Sequence, residues 1–373
     1  MSFLNTLATS TSSSAQPTSA ASSTATMSSA PVSLKGDIQV ADAPTDSVSG
    51  LAWSPTSDLL AAGSWDSSVR VYQVAPNGQT RGVAAYAHAA PVLSVAWSKD
   101  GSKLFSGGCD GAGRMLDTTT GQAMQVAQHD APIKCVRWVE TPRGGLLATG
   151  GWDKTLRYWD LRSPAPAAVI QLPERLYTMD VKYPWLVLGT ADRHIQIYDL
   201  SNPTVVFNQS QSGLAMQTRV VSMGDGVYAY GNVEGRVQLT WTSPSDPSAK
   251  HQPFNFKAHR TRLPNEPATS YGSVVWAVND ISFHPLYTGT FTTCGSDGRI
   301  LTWDAENRTR LATFEPAGAP VTATAFSRTG ALLAYAVSYD WHRGHAGNTP
   351  DVPSRVMVHS CRDDEVKPRH AAK

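Results

Sequence analysis

Short apolar segments alternate with turn residues along most of the chain. The recurring unit is an apolar strand, a turn, a second apolar strand, a Gly-x-x-Asp turn and a third strand ending in an aromatic residue. Clear copies are LAWSPTSDLLAAGSWDSSVRVYQV, VRWVETPRGGLLATGGWDKTLRYWD and ISFHPLYTGTFTTCGSDGRILTWD. Segments that alternate apolar and polar residues, or that are apolar throughout, are typical of β-strands when turn residues bound them. The pattern therefore predicts an all-β protein made of repeated units.

The acidic turn residues give the length of the repeat. They are Asp66, Asp110, Asp153, Asp192, Glu234, Asp297 and Asp340. Their successive separations are 44, 43, 39, 42, 63 and 43 residues. Five of the six match the four-stranded blade of a β-propeller, and the longest contains an insertion of about 20 residues. The spacing predicts a seven-bladed WD40 β-propeller.

The same turns carry residues that resemble catalytic groups. Glycine supplies backbone freedom at a tight turn, and an Asp side chain can bond nearby amides. His88 and His129 precede their turn aspartates by 22 and 24 residues. In WD40 repeats such a His bonds the turn Asp across the blade, so we interpret these pairs as structural. The predicted structural turn residues are Asp66, Asp110, Asp153, Asp192 and Asp297.

The ends of the repeat array predict how the ring closes. Residues 37–41 (DIQVA) read as a short strand before the first repeat. The last blade has inner strands at 321–326 and 331–337 and a third strand at 355–359. We predict that residues 38–40 supply its outer strand, because a propeller closes into a ring with little free sheet edge.

The first residues differ in character from the rest. Ser, Thr and Ala make up 22 of the first 31 residues, and the first charged residue is Lys35. Such a composition buries too little apolar surface to offset the ordering entropy, so residues 1–33 are predicted to be a disordered tail and residues 34–370 the propeller. The stretch lacks the basic start and apolar run of a secretory signal, and the arginines of a mitochondrial transit peptide.

Charge and cysteine usage exclude several classes. The chain has 31 Lys and Arg against 30 Asp and Glu, which argues against a histone-like or acidic disordered protein. No apolar run of 18 residues occurs, so no membrane span is expected. The four cysteines lie far apart without a C-x-x-C motif, which suits a reducing compartment and not a cysteine zinc site.

Motifs of catalysis are also missing from the sequence. It contains no G-x-x-x-x-G-K-[ST], no H-E-x-x-H and no G-x-S-x-G. The glycines of GDGVYAYG have the wrong spacing for a dinucleotide loop. We therefore expect a protein that is not an enzyme and has no cofactor, no metal and no catalytic residue.

Several segments together resemble one WD40 family. They include GSWDSSVRVY, GGWDKTLRYWDLRSP, FNFKAHR, YAVSYDWHRG and the ending EVKPR. They are similar to the RNA export factors of the nuclear pore, propellers that bind the GLEBS segment of an FG nucleoporin. The resemblance covers roughly residues 34–370. A paralogous family, the mitotic-checkpoint propellers that bind GLEBS-like segments of checkpoint kinases at kinetochores, shares the architecture and is the alternative.

The resemblance implies a non-enzymatic adaptor for mRNA export. It implies a monomeric subunit of a heteromeric complex, located in the nucleus and at the nuclear pore with cytoplasmic shuttling. Because the GLEBS partner is acidic where it makes contact, basic and aromatic residues should carry binding. The matching positions are Arg236, Phe256, Lys257, Trp303, Asp304, Arg308 and Arg310.

Residues 250–262 (KHQPFNFKAHRTR) support this interpretation without the family. They hold four Lys or Arg, two His and two Phe, and no acidic residue. Basic residues interleaved with aromatics can bind an acidic peptide or single-stranded nucleic acid, so RNA or messenger ribonucleoprotein is a further candidate partner. A solvated loop with the two Phe packed beneath it is the alternative interpretation.

Overall fold

The computed structural model describes residues 30–141, 144–242, 252–262 and 273–368. Within these residues the strands form seven four-stranded antiparallel sheets and one two-stranded sheet. Each four-stranded sheet is one blade, and its strands run in chain order from the inner to the outer edge in blades 1–6. The predicted seven-bladed propeller is therefore confirmed.

The first four blades each contain four consecutive strands. Blade 1 has β2 (Val48–Trp53), β3 (Leu59–Ser64), β4 (Ser68–Val74) and β5 (Thr80–Ala87). Blade 2 has β6 (Val92–Trp97), β7 (Lys103–Gly108), β8 (Ala112–Asp117) and β9 (Ala123–Gln128). Blade 3 has β10 (Ile133–Thr141), β11 (Gly144–Gly151), β12 (Thr155–Trp159) and β13 (Pro166–Gln171). Blade 4 has β14 (Leu176–Lys182), β15 (Trp185–Thr190), β16 (His194–Asp199) and β17 (Val206–Gln211).

The remaining blades include the insertion and both ends of the described chain. Blade 5 has β18 (Thr218–Met223), β19 (Val227–Asn232), β20 (Arg236–Trp241) and β21 (Phe254–Lys257). A hairpin of β22 (Arg260–Arg262) and β23 (Ser273–Val275) follows. Blade 6 has β24 (Val278–Phe283), β25 (Thr290–Gly295), β26 (Ile300–Asp304) and β27 (Thr309–Thr313). Blade 7 has β28 (Val321–Phe326), β29 (Leu332–Val337), β30 (Arg355–Ser360) and β1 (Ile38–Gln39), and a short helix α1 (Asp363–Val366) follows.

The ring closes as the sequence predicts. Strand β1 pairs antiparallel with β30, with Ile38 opposite Val358, so the N-terminal segment supplies the outer strand of blade 7. The Val40 amide extends the pairing by donating to the Val356 carbonyl at 2.8 Å. Strand β2 of blade 1 packs against β28 of blade 7, which completes the circle of inner strands.

The core lies between the blades. Inner strands are covered by a neighbouring blade on each face, so every residue of β6 is buried. The outermost strand of blade 4, β17, is exposed at every residue. The hydrophobic sequence pattern thus weakens from the inner strand to the outer strand because burial on both faces is confined to the centre of the ring.

Asp37, His359 and Glu365 fasten the two ends of the folded unit together, and we call them the terminal clasp. His359 Nδ1 lies 2.7 Å from an Asp37 carboxylate oxygen, and its Nε2 lies 3.0 Å from a Glu365 oxygen. The Tyr335 hydroxyl donates to the second Asp37 oxygen at 2.8 Å. The clasp joins the segment before β1, strand β30 and helix α1.

The predicted boundary of the tail lies between residues 33 and 34. Val32, on the tail side of that boundary, is buried and forms a parallel bridge with Phe314. Its amide donates to the Thr313 carbonyl at 2.8 Å, and its carbonyl accepts from the Glu315 amide at 2.8 Å. Val32 is therefore part of the folded unit. Residues 1–29, for which disorder was predicted, lie outside the described residues. No helix in the described part of the chain is long and apolar enough to cross a membrane.

Candidate functional site

The predicted His–Asp pairs form structural networks inside the blades. His88 Nδ1 lies 3.1 Å from Asp110, and its Nε2 lies 2.8 Å from the Ser106 hydroxyl. His129 occupies the same place one blade later, 2.9 Å from Asp153. Each His side chain is fully buried. Each network ties the start of one blade to the turn of that blade, which is the arrangement that the structural interpretation of these pairs expects.

The protonation of these histidines follows from burial. Burial lowers the pKa of His88 and of His129, although the adjacent carboxylates oppose that shift. The hydrogen bonds from the histidines lower the pKa of Asp110 and Asp153, against the opposing effect of burial. Neutral imidazoles therefore bond ionised turn aspartates at neutral pH.

A third network was missed in the sequence. His259 Nδ1 lies 2.9 Å from Asp297, and its Nε2 lies 3.0 Å from the Thr293 hydroxyl. The Trp303 indole N–H donates to the same Thr293 hydroxyl at 3.0 Å. His259 precedes its aspartate by 38 residues because the insertion separates them. The sequence analysis looked for separations of 22 to 24 residues and therefore did not find this pair. Its position just after the outer strand β21, like that of His129 after β9, was the available signal.

The other turn aspartates bond their own turns. Asp66 accepts hydrogen bonds from the Ser68 amide at 2.9 Å and from the Thr45 amide at 3.0 Å. Asp192 accepts from the Thr190 hydroxyl at 2.5 Å and lies 2.7 Å from His194 Nδ1. These hydroxyl and amide donors lower the pKa of both carboxyls, with burial opposing the shift.

Four of the seven predicted peptide-binding residues come together where blades 5 and 6 meet at the outer rim. We call this place the rim seam: Phe254, Phe256, Trp303, Arg308 and Arg310. Phe256 of β21 lies against Trp303 of β26, with ring centroids 4.4 Å apart. Phe254, which the sequence analysis did not single out, lies on the same face of β21 because side chains two residues apart share a face.

Two cations flank these aromatic rings. The Arg308 guanidinium lies over the Phe254 ring, 4.5 Å from its centroid. Arg310 is directly opposite Trp303 in the β26–β27 pair, so their side chains share one face of blade 6. Both arginines are exposed. The attraction between a cation and an aromatic face is worth about 0.5–1 kcal/mol at an exposed site, and it favours this position of the Arg308 guanidinium.

Arg236 and Lys257 lie on the opposite face of blade 5. They are directly opposite each other in the β20–β21 pair, and Phe256 alternates with Lys257 along β21. Arg236 also lies 3.9 Å from Glu234, and Arg260 bonds that same carboxylate at 3.2 Å. The structure therefore separates these two cations from the rim seam, and their predicted contact with a peptide stays a prediction.

Trp303 and Asp304 have partners within blade 6. Trp303 belongs to the His259 network described above. Asp304 is buried and accepts from the Glu306 amide at 2.9 Å and from the Asn307 side chain at 2.7 Å. Asp304 thus holds the turn between β26 and β27, and this turn presents Arg308.

A second aromatic surface lies at the end of the ring that carries the turn aspartates. Trp65 and Trp341 stack with centroids 4.2 Å apart, and Tyr339 lies 5.6 Å from Trp341. Trp152, in the equivalent position to Trp65, is 37% exposed. Trp341 adopts a positive φ of 62°, which a bulky residue rarely does. The available sequence signal was the Trp that directly precedes Asp66 and Asp153.

Part of the predicted basic segment lies outside what the structure describes, namely residues 250 and 251 and the side chain of Arg262. Residues 263–272, between β22 and β23, also lie outside it. Among the described residues no group of three or more His, Cys, Asp or Glu has an arrangement that could hold a metal ion.

The seven blades and their His–Asp networks define the class as a WD40 propeller, a fold that presents binding surfaces on its faces and rim. A family model of the anaphase-promoting complex subunit 4 WD40 domain matches residues 51–141.

Proteins of similar sequence identify the family within this class of propellers. The chain is 45% identical to the poly(A)+ RNA export protein of Schizosaccharomyces pombe, over 93% of this chain and 96% of that protein. It is 45% identical to the mRNA export factor GLE2 of Chaetomium thermophilum, over 91% and 94%. It is 42% identical to protein Rae1 of Drosophila melanogaster, over 89% and 96%. The chain belongs to the family of WD40 mRNA export factors.

Proposed function

We propose that this protein is a non-enzymatic adaptor in mRNA export that binds a GLEBS-type segment of an FG nucleoporin. The observation that carries the export role is the 45% identity to the poly(A)+ RNA export protein across nearly the full length of both chains. In this role the protein would act in the nucleus and at the nuclear pore. Messenger ribonucleoprotein would then be held through the partner complex.

The rim seam supports binding of an acidic segment. It joins exposed arginines to partly buried aromatic rings, and the aromatic rings are fixed by blade 6 before a partner arrives. Preorganised aromatic and Arg side chains are the residue types that contribute most at protein interfaces. Carboxylates of the partner would pair with Arg308 and Arg310 while its apolar side chains cover Phe254 and Phe256.

Affinity purification from cells at endogenous level tests the partner. We expect a GLEBS-bearing nucleoporin as the main stoichiometric partner of the wild-type protein. Recovery of a checkpoint kinase in its place would overturn the export assignment and favour the alternative function.

Titration of the recovered GLEBS segment tests the surface. The double change Arg308→Glu and Arg310→Glu should weaken binding by about 2 kcal/mol or more, because both charges are reversed at the contact. Arg236→Glu tests the opposite face of blade 5 in the same assay. Arg81→Glu is the matched control, since Arg81 is an exposed arginine on the outer strand of blade 1. Unchanged affinity in the double variant would refute the rim seam as the contact.

A further inference from the structure

The outer edge of blade 4 is formed by β17, which is hydrogen-bonded to a neighbouring strand on one side only, where it pairs with β16. Among the outer strands that the structure describes, β17 alone is exposed at every residue. A free sheet edge presents unpaired backbone N–H and C=O groups to any chain that can lie beside it. We call this second, unpaired side of β17 the blade 4 edge.

The register of the β16–β17 pair shows which backbone groups point outward. The Ser212 amide donates to the Arg193 carbonyl at 2.8 Å, just after the last residue of β17. Residues of an antiparallel strand bond alternately to one side and to the other, so Ser210 bonds β16 whereas Gln209 and Gln211 point away from it. No residue that the structure describes bonds the outward backbone groups of Gln209 and Gln211.

The strand lacks the charges that usually protect a free edge. Residues 200–218, which include β17, contain no Lys, Arg, His, Asp or Glu. The outer strands of blades 1, 5 and 6 each contain a cation, namely Arg81, Lys257 and Arg310. Natural proteins place charges on exposed edges to prevent the pairing of another chain. The composition of β17 leaves such pairing unopposed.

Charged residues of the β16–β17 pair lie at its two ends, since His194 and Asp199 are the first and last residues of β16. His194 Nδ1 lies 2.7 Å from Asp192. Asp199 accepts from the Ser201 amide at 2.8 Å and makes no ion pair with any described residue. Like charges brought together across a strand pair are destabilising, so the blade 4 edge disfavours an acidic chain.

An aromatic pair lies at the same end of the strand as Asp199. The Phe207 ring packs against Trp185 with centroids 4.8 Å apart, and Phe207 is still 53% exposed. Val205, directly before β17, is also exposed. The outer strands β9 and β13 are uncharged too, but neither contains an aromatic residue. When a strand is added to a sheet edge, backbone pairing supplies affinity and side-chain contacts of this kind supply specificity.

The protein already pairs extended segments with the edges of two other blades. Strand β1 completes blade 7 by pairing with β30. Val32 lies beside the outer strand of blade 6, where its amide donates to the Thr313 carbonyl and its carbonyl accepts from the Glu315 amide, both at 2.8 Å. An extended chain therefore fits against the outer edge of a blade in this propeller.

We propose that the blade 4 edge binds an extended, non-acidic segment of a partner protein, which pairs as a fifth strand of blade 4. The segment bonds the outward backbone groups of Gln209 and Gln211, and one of its apolar side chains covers Phe207. A second copy of β17 is a poorer match, since four of its six residues are the polar sequence NQSQ. The site lies on blade 4 and takes a different guest from the rim seam of blades 5 and 6, so it does not depend on the proposed function.

Selection from a random dodecapeptide library displayed on phage tests the proposal. The bait is the immobilised full-length protein, and counter-selection on the variant Gln209→Pro removes peptides that bind elsewhere. Proline deletes the outward N–H and is tolerated on edge strands, and a thermal melt checks that the variant is folded. Gln211→Pro, which also deletes an outward N–H, replaces it if the melt shows unfolding. We expect enrichment of sequences rich in Val, Ile, Thr and aromatic residues and poor in Asp and Glu.

Fluorescence anisotropy titrations with the selected peptides separate the backbone from the side chain. Gln209→Pro should raise the Kd at least tenfold. Gln209→Ala is the matched control, because it removes the same side chain but keeps the N–H, and it should change the Kd less than twofold. Phe207→Ala should raise the Kd at least threefold, and Arg308→Glu, in the rim seam, should change it less than twofold.

Hydrogen–deuterium exchange of the wild-type protein gives a measurement that needs no variant. Bound peptide should slow exchange at the amides of Gln209 and Gln211 at least tenfold and leave that of Ser210, which already bonds β16, unchanged. A selection without enrichment, peptides lost with Gln209→Ala, or unchanged exchange at Gln209 and Gln211 overturns the proposal. Sedimentation velocity should show a monomer. A dimer that Gln209→Pro dissociates would also overturn the proposal, because the edge would then join two copies of this chain.

Discussion

The terminal clasp makes the stability of the propeller depend on pH in a calculable direction. Burial by itself lowers the pKa of His359, but the hydrogen bonds and charges of Asp37 and Glu365 outweigh it and raise the pKa to about 9. The unfolded chain has an ordinary His pKa of about 6.5. The folded state therefore binds the proton more tightly, and the resulting stability is fully present below pH 6.5 and is lost as the pH rises through 9.

The size of this effect follows from the two pKa values. At pH 7 the rise of the His359 pKa from 6.5 to about 9 corresponds to about 2–3 kcal/mol of unfolding free energy, and almost none of it remains at pH 10. Urea unfolding of the wild-type protein at pH 7 and pH 10, followed by far-UV circular dichroism, measures the loss. Other groups titrate over this range, so the same pair of measurements on His359→Gln supplies the baseline.

Comparison of His359→Gln with the wild-type protein at the two pH values tests whether His359 is protonated in the folded state. His359→Gln should be less stable than wild type at pH 7 and should differ from it much less at pH 10, because the ionic contribution is absent in one protein and titrated away in the other. A difference between the two proteins that stays constant from pH 7 to pH 10 would refute the protonated clasp. It would show that His359 contributes only through packing.

Two further predictions concern the stability of the propeller, one through Gly145 and one through the N-terminal strand β1. Gly145→Ala should lower the free energy of unfolding by about 1–3 kcal/mol, because the new Cβ overlaps the Trp138 ring. Gly82→Ala is the control in the same urea denaturation, since nothing lies within 4 Å of a Cβ atom at that position. Deletion of residues 1–45 should lower the unfolding free energy by about 4 kcal/mol or more relative to deletion of residues 1–33, because only the longer deletion removes the buried Val40 and the clasp carboxylate. Equal stability of the two deletions would contradict the closing role of β1.

Much of the fold was predictable because it repeats. A four-stranded blade needs the same inner strands and the same turn chemistry in each copy, so the spacing from Asp66 to Asp110 and onward gives the blade number. The closing strand was predictable for the same reason, since blade 7 had three strands and residues 38–40 were the strand left over. The His259 network was missed because an insertion broke the period on which this reasoning relies.

The candidate site was harder to predict, because neighbours in the sequence do not share a face in a strand. Phe256 and Lys257 were assigned to one binding surface, yet they alternate along β21 and face opposite sides of blade 5. Arg308 reaches the rim seam by packing over Phe254, a residue 54 positions earlier in the chain. No local pattern encodes such a contact between two blades.

The sequence by itself determined the all-β class, the number of blades, the turn residues and the way the ring closes, because each depends on local periodicity and on turn chemistry within one repeat. The tertiary structure alone decided which side chains share a surface. The rim seam and the stacked pair of Trp65 and Trp341 each join residues from different blades. Their arrangement depends on how whole sheets pack around the ring, and that packing sets distances between residues that the order of the chain leaves far apart.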